Sequence, residues 1–132
     1  MRNLKDVWVT PDSKYIVAVI SRNIFVWSFD EEKLVHVFEE ERESDDLIAV
    51  ISTPDSSQLI TASNNHIISF WDLSNSEFVQ KINIPAQNKK AKTINLRITA
   101  NGTRMFYSRE GKMTLNYFLL GLPSSYDIYS EG

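Results

Sequence analysis

The sequence predicts an all-β protein built from three antiparallel, four-stranded units, and three observations predict it. Short runs rich in β-branched and aromatic residues alternate with turn residues at close intervals. The same grammar returns three times, as VWVTPDSKYIVAV, VISTPDSSQLITA and LRITANGTRMFYS. No segment holds a helical apolar period for the ten or more residues of an ordinary helix.

The spacing of the repeat is regular. Asp12 and Asp55 are 43 residues apart, Asp55 and Asn101 are 46, and Trp27 and Trp71 are 44. Thr10, Thr53 and Thr99 align, as do Pro11, Pro54 and Ala100, and Asp12, Asp55 and Asn101. A period of about 40–45 residues with four short strands per unit is the mark of a propeller blade. The expectation is a β-propeller-type array of three blades at about 5–40, 47–85 and 93–130, within a single region 1–132. Three are too few to close a ring alone, which takes about four to eight.

In the first unit, strands are expected at Val7–Thr10, Tyr15–Ile20, Ile24–Phe29 and Lys33–Phe38. YIVAVI is apolar on both faces, as a strand covered on each side must be. In the second they fall at Leu47–Ser52, Gln58–Ala62, Ile67–Leu73 and Phe78–Ile84. In the third they fall at Thr93–Thr99, Arg104–Ser108, Lys112–Leu120 and Tyr126–Tyr129. Pro11-Asp12 and Pro54-Asp55 punctuate the first two units, with Pro preset for a turn and Asp able to bond the local backbone. Asn101-Gly102-Thr103 matches a glycosylation acceptor, but Asn-Gly is also a strong hairpin turn, and the turn reading is preferred.

Trp27-Ser28, Trp71-Asp72 and the turns at Thr53-Pro54-Asp55-Ser56 carry a family resemblance: the chain resembles the WD-repeat β-propellers. Phe70-Trp71-Asp72-Leu73 stands where that family ends a blade's third strand, and Thr53-Pro54-Asp55-Ser56 stands at its Ser-Pro-Asp-Gly turn. The resemblance marks Trp27, Trp71, Asp72, Pro11, Asp12, Pro54 and Asp55 as structural. The chain also departs from the pattern. The family's Gly-His pair is missing, and Asn64-Asn65 or Glu110-Gly111 replaces its turn Asp. Asn116-Tyr117 stands at the third tryptophan position. Only Trp71, with Ser63 and Asn65, is left to form part of the family's buried polar network.

An open arc of three blades is expected to leave apolar surface such as Ile16, Ala18, Ile24 and Val26 uncovered. Three resolutions are open: a piece of a longer protein, a ring completed by copies or a partner, or a stack that folds alone. Edge and terminal-repeat arguments favour the first.

At 132 residues with 42% hydrophobic and 23% charged positions, the chain has the composition of an ordinary globular protein. It has no run approaching the ~18 apolar residues of a membrane helix. MRNLKDVWVT lacks the apolar core and cleavage site of a secretory signal, and there is no cysteine. These give the expectation of an intracellular, cytoplasmic protein without disulfides or thiolate zinc sites. A net charge of -3 provides no global attraction to nucleic acid or anionic lipid.

The inventory for catalysis is nearly empty. His36 reads as an edge-strand side chain and His66 as a solvated turn residue. No nucleophile elbow, phosphate loop or zinc-protease pair is present. No catalytic residue, metal ligand or cofactor is therefore expected. The charged loops are more informative. Glu39, Glu40, Glu41, Glu43, Asp45 and Asp46 lie in the loop between the first two units, and Lys89, Lys90 and Lys92 in the next such loop. By the resemblance, both loops emerge on one rim with the turns holding Arg22, Asn64, Asn65 and Arg109. The reading is a non-catalytic scaffold whose rim docks protein partners of complementary charge. The alternatives are a propeller fragment whose catalytic domain lies outside this sequence, or a nucleic-acid-associated subunit. Three lysines without interleaved aromatics argue against nucleic acid.

Overall fold

In the computed structural model, which describes residues 4–40, 45–84, 89–109, 113–119 and 125–131, the elements are strands joined by tight turns. β1 (Leu4–Val9), β2 (Tyr15–Ile20), β3 (Asn23–Ser28) and β4 (Lys33–Glu39) form the first sheet, in that order. β5 (Leu47–Ser52), β6 (Gln58–Ser63), β7 (Ile67–Asp72) and β8 (Glu77–Asn83) form the second. β9 (Ile94–Ile98), β10 (Arg104–Arg109), β11 (Met113–Leu119) and β12 (Ser125–Glu131) form the third. Every pairing is antiparallel and joins strands adjacent in sequence. The architecture is all-β, and the three sheets do not close into a ring.

Each sheet is opened by the same turn, held by the same atoms. Thr10 Oγ1 donates to Asp12 Oδ1 at 2.6 Å, and that oxygen accepts Lys14 N at 3.0 Å. Thr53 Oγ1 donates to Asp55 Oδ1 at 2.7 Å, which accepts Ser57 N at 3.0 Å. Thr99 Oγ1 donates to Asn101 Oδ1 at 2.8 Å, which accepts Thr103 N at 3.1 Å. In each turn the threonine hydroxyl also accepts the first amide of the following strand, at 3.1 Å. The next turn position takes a positive φ: 63° at Ser13, 62° at Ser56 and 73° at Gly102. Only Gly102 adopts it without steric cost, since a Cβ in the left-handed region crowds the backbone.

The sheets stack through β5, which lies against β1 and β2 on one side and β9 on the other. Two apolar layers result. The first joins Val17, Val19, Ile24, Val26 and Phe38 to Leu47, Val50, Leu59, Trp71 and Leu73. The second joins Ile51, Ile60, Ile68 and Phe70 to Ile94, Leu96, Met105 and Tyr107. Polar bonds staple the first contact: Trp8 Nε1 donates to Ser52 Oγ at 2.8 Å, and Val50 N donates to Asp6 Oδ2 at 3.0 Å. At the outer edge Ser76 Oγ and His36 Nδ1 share a hydrogen bond of 2.6 Å. His36 is therefore a side chain of β4, as its sequence context indicates, and it joins two sheets.

Two sequence expectations change. Ile24 and Val26 are not on uncovered surface; they are fully buried against the second sheet. Ile16 and Ala18 point the other way, and the pairing register puts them with Val9, Val7, Phe25 and Trp27. Ala18 is nevertheless buried, at 5% exposure, and Ile16 half-buried, so neither is open surface. The aromatic column also shifts in the third sheet. Ile16 pairs with Trp27, Leu59 with Trp71, and Met105, six residues past Thr99 as they are past theirs, with Phe118. The pairing register moves the column from Asn116-Tyr117 to Phe118, so an aromatic residue occupies it in all three sheets.

Candidate protein-binding rim

One end of the stack gathers the β2–β3 and β6–β7 turns with the loops leaving β4 and β8. Backbone bonds bring them together. Leu47 N donates to Ser21 O at 2.7 Å and Glu40 N to Arg22 O at 2.8 Å. Asn64 N donates to Asp46 O at 2.8 Å, and Ala91 N to Asn64 O at 2.7 Å. Each loop to the next sheet thus closes over the turn of the sheet it meets or leaves.

Side chains extend this frame. Arg22 Nη2 donates to Glu40 O at 2.9 Å. Asn65 Oδ1 accepts Asp45 N at 3.1 Å and Ser63 Oγ at 2.5 Å, while Ser63 Oγ accepts Ile67 N at 3.1 Å. Ser63 and Asn65 therefore form a polar network with the acidic loop. Trp71 does not share it, since its Nε1 faces Thr61 Oγ1 at 3.4 Å. Lys90 Nζ forms an ion pair with Asp45 Oδ2, so the lysine loop and the acidic loop are tied to each other. The hydrogen bond from Lys90 holds the Asp45 carboxyl below its ordinary range, and Asp45 in turn raises Lys90.

The candidate residues divide by exposure. Glu39, Asp46, Lys89, Lys90 and Lys92 are exposed, and Arg22, Asp45, Asn64, Asn65 and Arg109 are half-buried. Glu40 is 2% exposed, so its side chain faces inward and is withdrawn from any docking surface. Glu41 and Glu43 lie outside the described residues, as do Glu110 and Gly111. The buried Nε atoms of Arg22 and Arg109 and the Oδ1 of Asn64 have no partner among the described residues.

Sequence reasoning missed the role of His66. It is not solvated but 3% exposed, with positive φ. Its Nε2 donates to Lys89 O at 2.6 Å, and its Nδ1 is bonded to the Tyr107 hydroxyl. One ring thus ties the second sheet to the third and fixes the lysine loop. A signal was available: Tyr107 occupies the repeat column of Ala18 and Thr61. A large residue in a column of small ones has to reach across to the neighbouring sheet.

No group of three or more His, Cys, Asp or Glu side chains able to hold a metal ion occurs among the described residues. No helix is long and apolar enough to cross a membrane. A comparison with protein-family models gives no match, and a comparison with curated proteins gives none either.

Proposed function

We propose that this chain is a non-catalytic protein-interaction platform of the WD-repeat β-propeller type, its three sheets acting as blades. The observation that carries the reading is the tying of the acidic and lysine loops into one rim, through Lys90–Asp45 and the His66–Lys89 bond. Loops held on a rigid sheet stack are where binding residues normally sit. Glu39 and Asp46 present acidic charge, and Lys89 and Lys92 basic charge, beside a neutralised pair. Mixed charge of this kind selects and orients a protein partner more than it adds affinity.

Affinity capture with the purified chain tests this. The wild type retains a defined set of proteins whose association weakens with salt. The double variant Lys89→Glu/Lys92→Glu, with an unchanged melt, loses that set. Retention of the same set by the variant removes the rim from the reading. Loss to a nucleic-acid competitor, with a steep salt slope, favours the nucleic-acid alternative instead.

A further inference from the structure

The far face of the first sheet, turned away from the second, is apolar across all four strands. Val7 and Val9 come from β1, Phe25 and Trp27 from β3, and Leu34 and Val37 from β4, with Ile16, Ala18 and Ile20 of β2 between them. The Phe25 and Trp27 rings stack with centroids 6.1 Å apart. Between its two ends the register places no charged side chain on it; Glu39, paired with Asn23, bounds it at one end and Lys14, beside Phe29, at the other. Val37 remains 54% exposed and Trp27 36%. In the repeat, this face corresponds to the face of the second sheet that is buried. Ile16 stands for Leu59, Ala18 for Thr61 and Trp27 for Trp71, which lies under Phe38 with centroids 5.4 Å apart.

The exposed large apolar residues of this face, Leu4 and Phe29 included, present roughly 600 Å² of apolar surface, at the top of the range for a monomer's largest patch. A standard protein interface buries about 800 Å² per partner, a little over half of it apolar, so the face meets what a stable dimer needs. The opposite end of the stack is more polar among its described side chains. There β9 presents Asn95 and Arg97, both exposed, beside Phe106 and Ser108 of β10. Head-to-tail addition would take these polar groups out of water and press them onto valines and a tryptophan, which offer no new hydrogen bonds in return. A two-fold axis instead sets the apolar face on itself, where the apolar residues at its centre meet their own copies. Two sheets packed this way lie about 10 Å apart.

We propose that the far face of the first sheet is a homodimer interface, closed by the same face of a second copy across a two-fold axis. It meets the rim only at Glu39 and does not involve the lysine loop. Sedimentation of the full chain over a range of concentration tests it. The wild type moves reversibly between 15.2 kDa and twice that mass, with no larger species. Trp27→Glu weakens association by at least about thirtyfold, as loss of a central aromatic anchor does, and the monomer stays folded. Lys90→Ala, on the rim, leaves the dimer intact. Because the chain lacks cysteine, Val37→Cys adds a single thiol that joins two copies on oxidation, while Arg97→Cys stays monomeric. This second measurement holds even where Trp27→Glu does not fold. A wild type of 15.2 kDa at every concentration overturns the proposal. So does mass growing past the dimer, or crosslinking through Arg97→Cys and not Val37→Cys.

Discussion

Trp27 and Trp71 occupy the same column of the repeat, pair with the same position of the neighbouring strand, and meet different surroundings. Trp71 is 5% exposed, lying flat on Phe38 and edge-on to Phe78. Trp27 is 36% exposed and stacks on Phe25 between Ile16 and Leu34, with no further sheet against it among the described residues. The difference teaches that the column is apolar by virtue of the repeat, while its energetic worth is set by the neighbouring sheet. A sequence pattern fixes which side of a strand is greasy; a second sheet decides whether that side contributes to stability.

The largest expected effect separates the two residues directly. Trp71→Ala should cost about 3–5 kcal/mol in urea unfolding, since it removes a buried ring and leaves a cavity. Trp27→Ala should cost less than about 1 kcal/mol in dilute monomer. Equal costs at low concentration would break the comparison and place a cover over the first sheet. Next comes the staple on the other side of the second sheet. Tyr107→Phe deprives buried His66 of its Nδ1 partner and should cost about 1–3 kcal/mol. A neutral result would show the two layers held by apolar packing alone.

A smaller effect concerns the turns. Asp55 is held below the ordinary aspartate range by hydrogen bonds from the Thr53 and Ser57 side chains and the Ser57 amide. A carboxyl lowered in the folded state contributes stability above its unfolded value near pH 4, and loses it as pH falls through the lower folded value. Asp55→Asn keeps the acceptor oxygen, as Asn101 does in the third sheet. The variant should therefore flatten the acid limb of the stability curve while changing little at pH 7. The smallest effect, and a gain, is expected at Ser13, exposed and at φ 63°. Ser13→Gly should raise stability by about 0.5–1 kcal/mol by relieving the left-handed strain. Ser56 is the control: its hydroxyl accepts Asp12 N at 3.1 Å, so glycine there gives up a bond between sheets.

The strands were legible in the sequence because their cues are local. Pro-Asp turns, β-branched runs and a period near 44 residues sufficed to place all twelve within a few residues, and β1 differs by starting three residues earlier, at Leu4. The loops that form the rim were legible as charge runs. What was not legible depends on partners distant in sequence. Ile24 and Val26 were placed on open surface because alternation along β3 does not say which face meets a neighbour. His66 was read as solvated because Tyr107 is 41 residues away. Glu40 belongs to an acidic run, yet it is drawn inward by backbone bonds to Arg22. Trp71, the strongest family cue in the sequence, is core in the structure and takes no part in the rim.

The third turn has a consequence for chemical ageing. Asn-Gly bonds lose ammonia when the glycine nitrogen attacks the asparagine side chain. Here Gly102 N is engaged with Thr99 O at 2.8 Å, and Asn101 Oδ1 accepts the Thr99 and Thr103 hydroxyls and the Thr103 amide. The folded turn therefore restrains both reactants, and deamidation at Asn101 becomes a clock for the opening of the third sheet. Hydrolysis to aspartate would install the residue that Asp12 and Asp55 already provide. The isoaspartate product, with its lengthened backbone, would instead break the hydrogen-bond frame that all three sheets share.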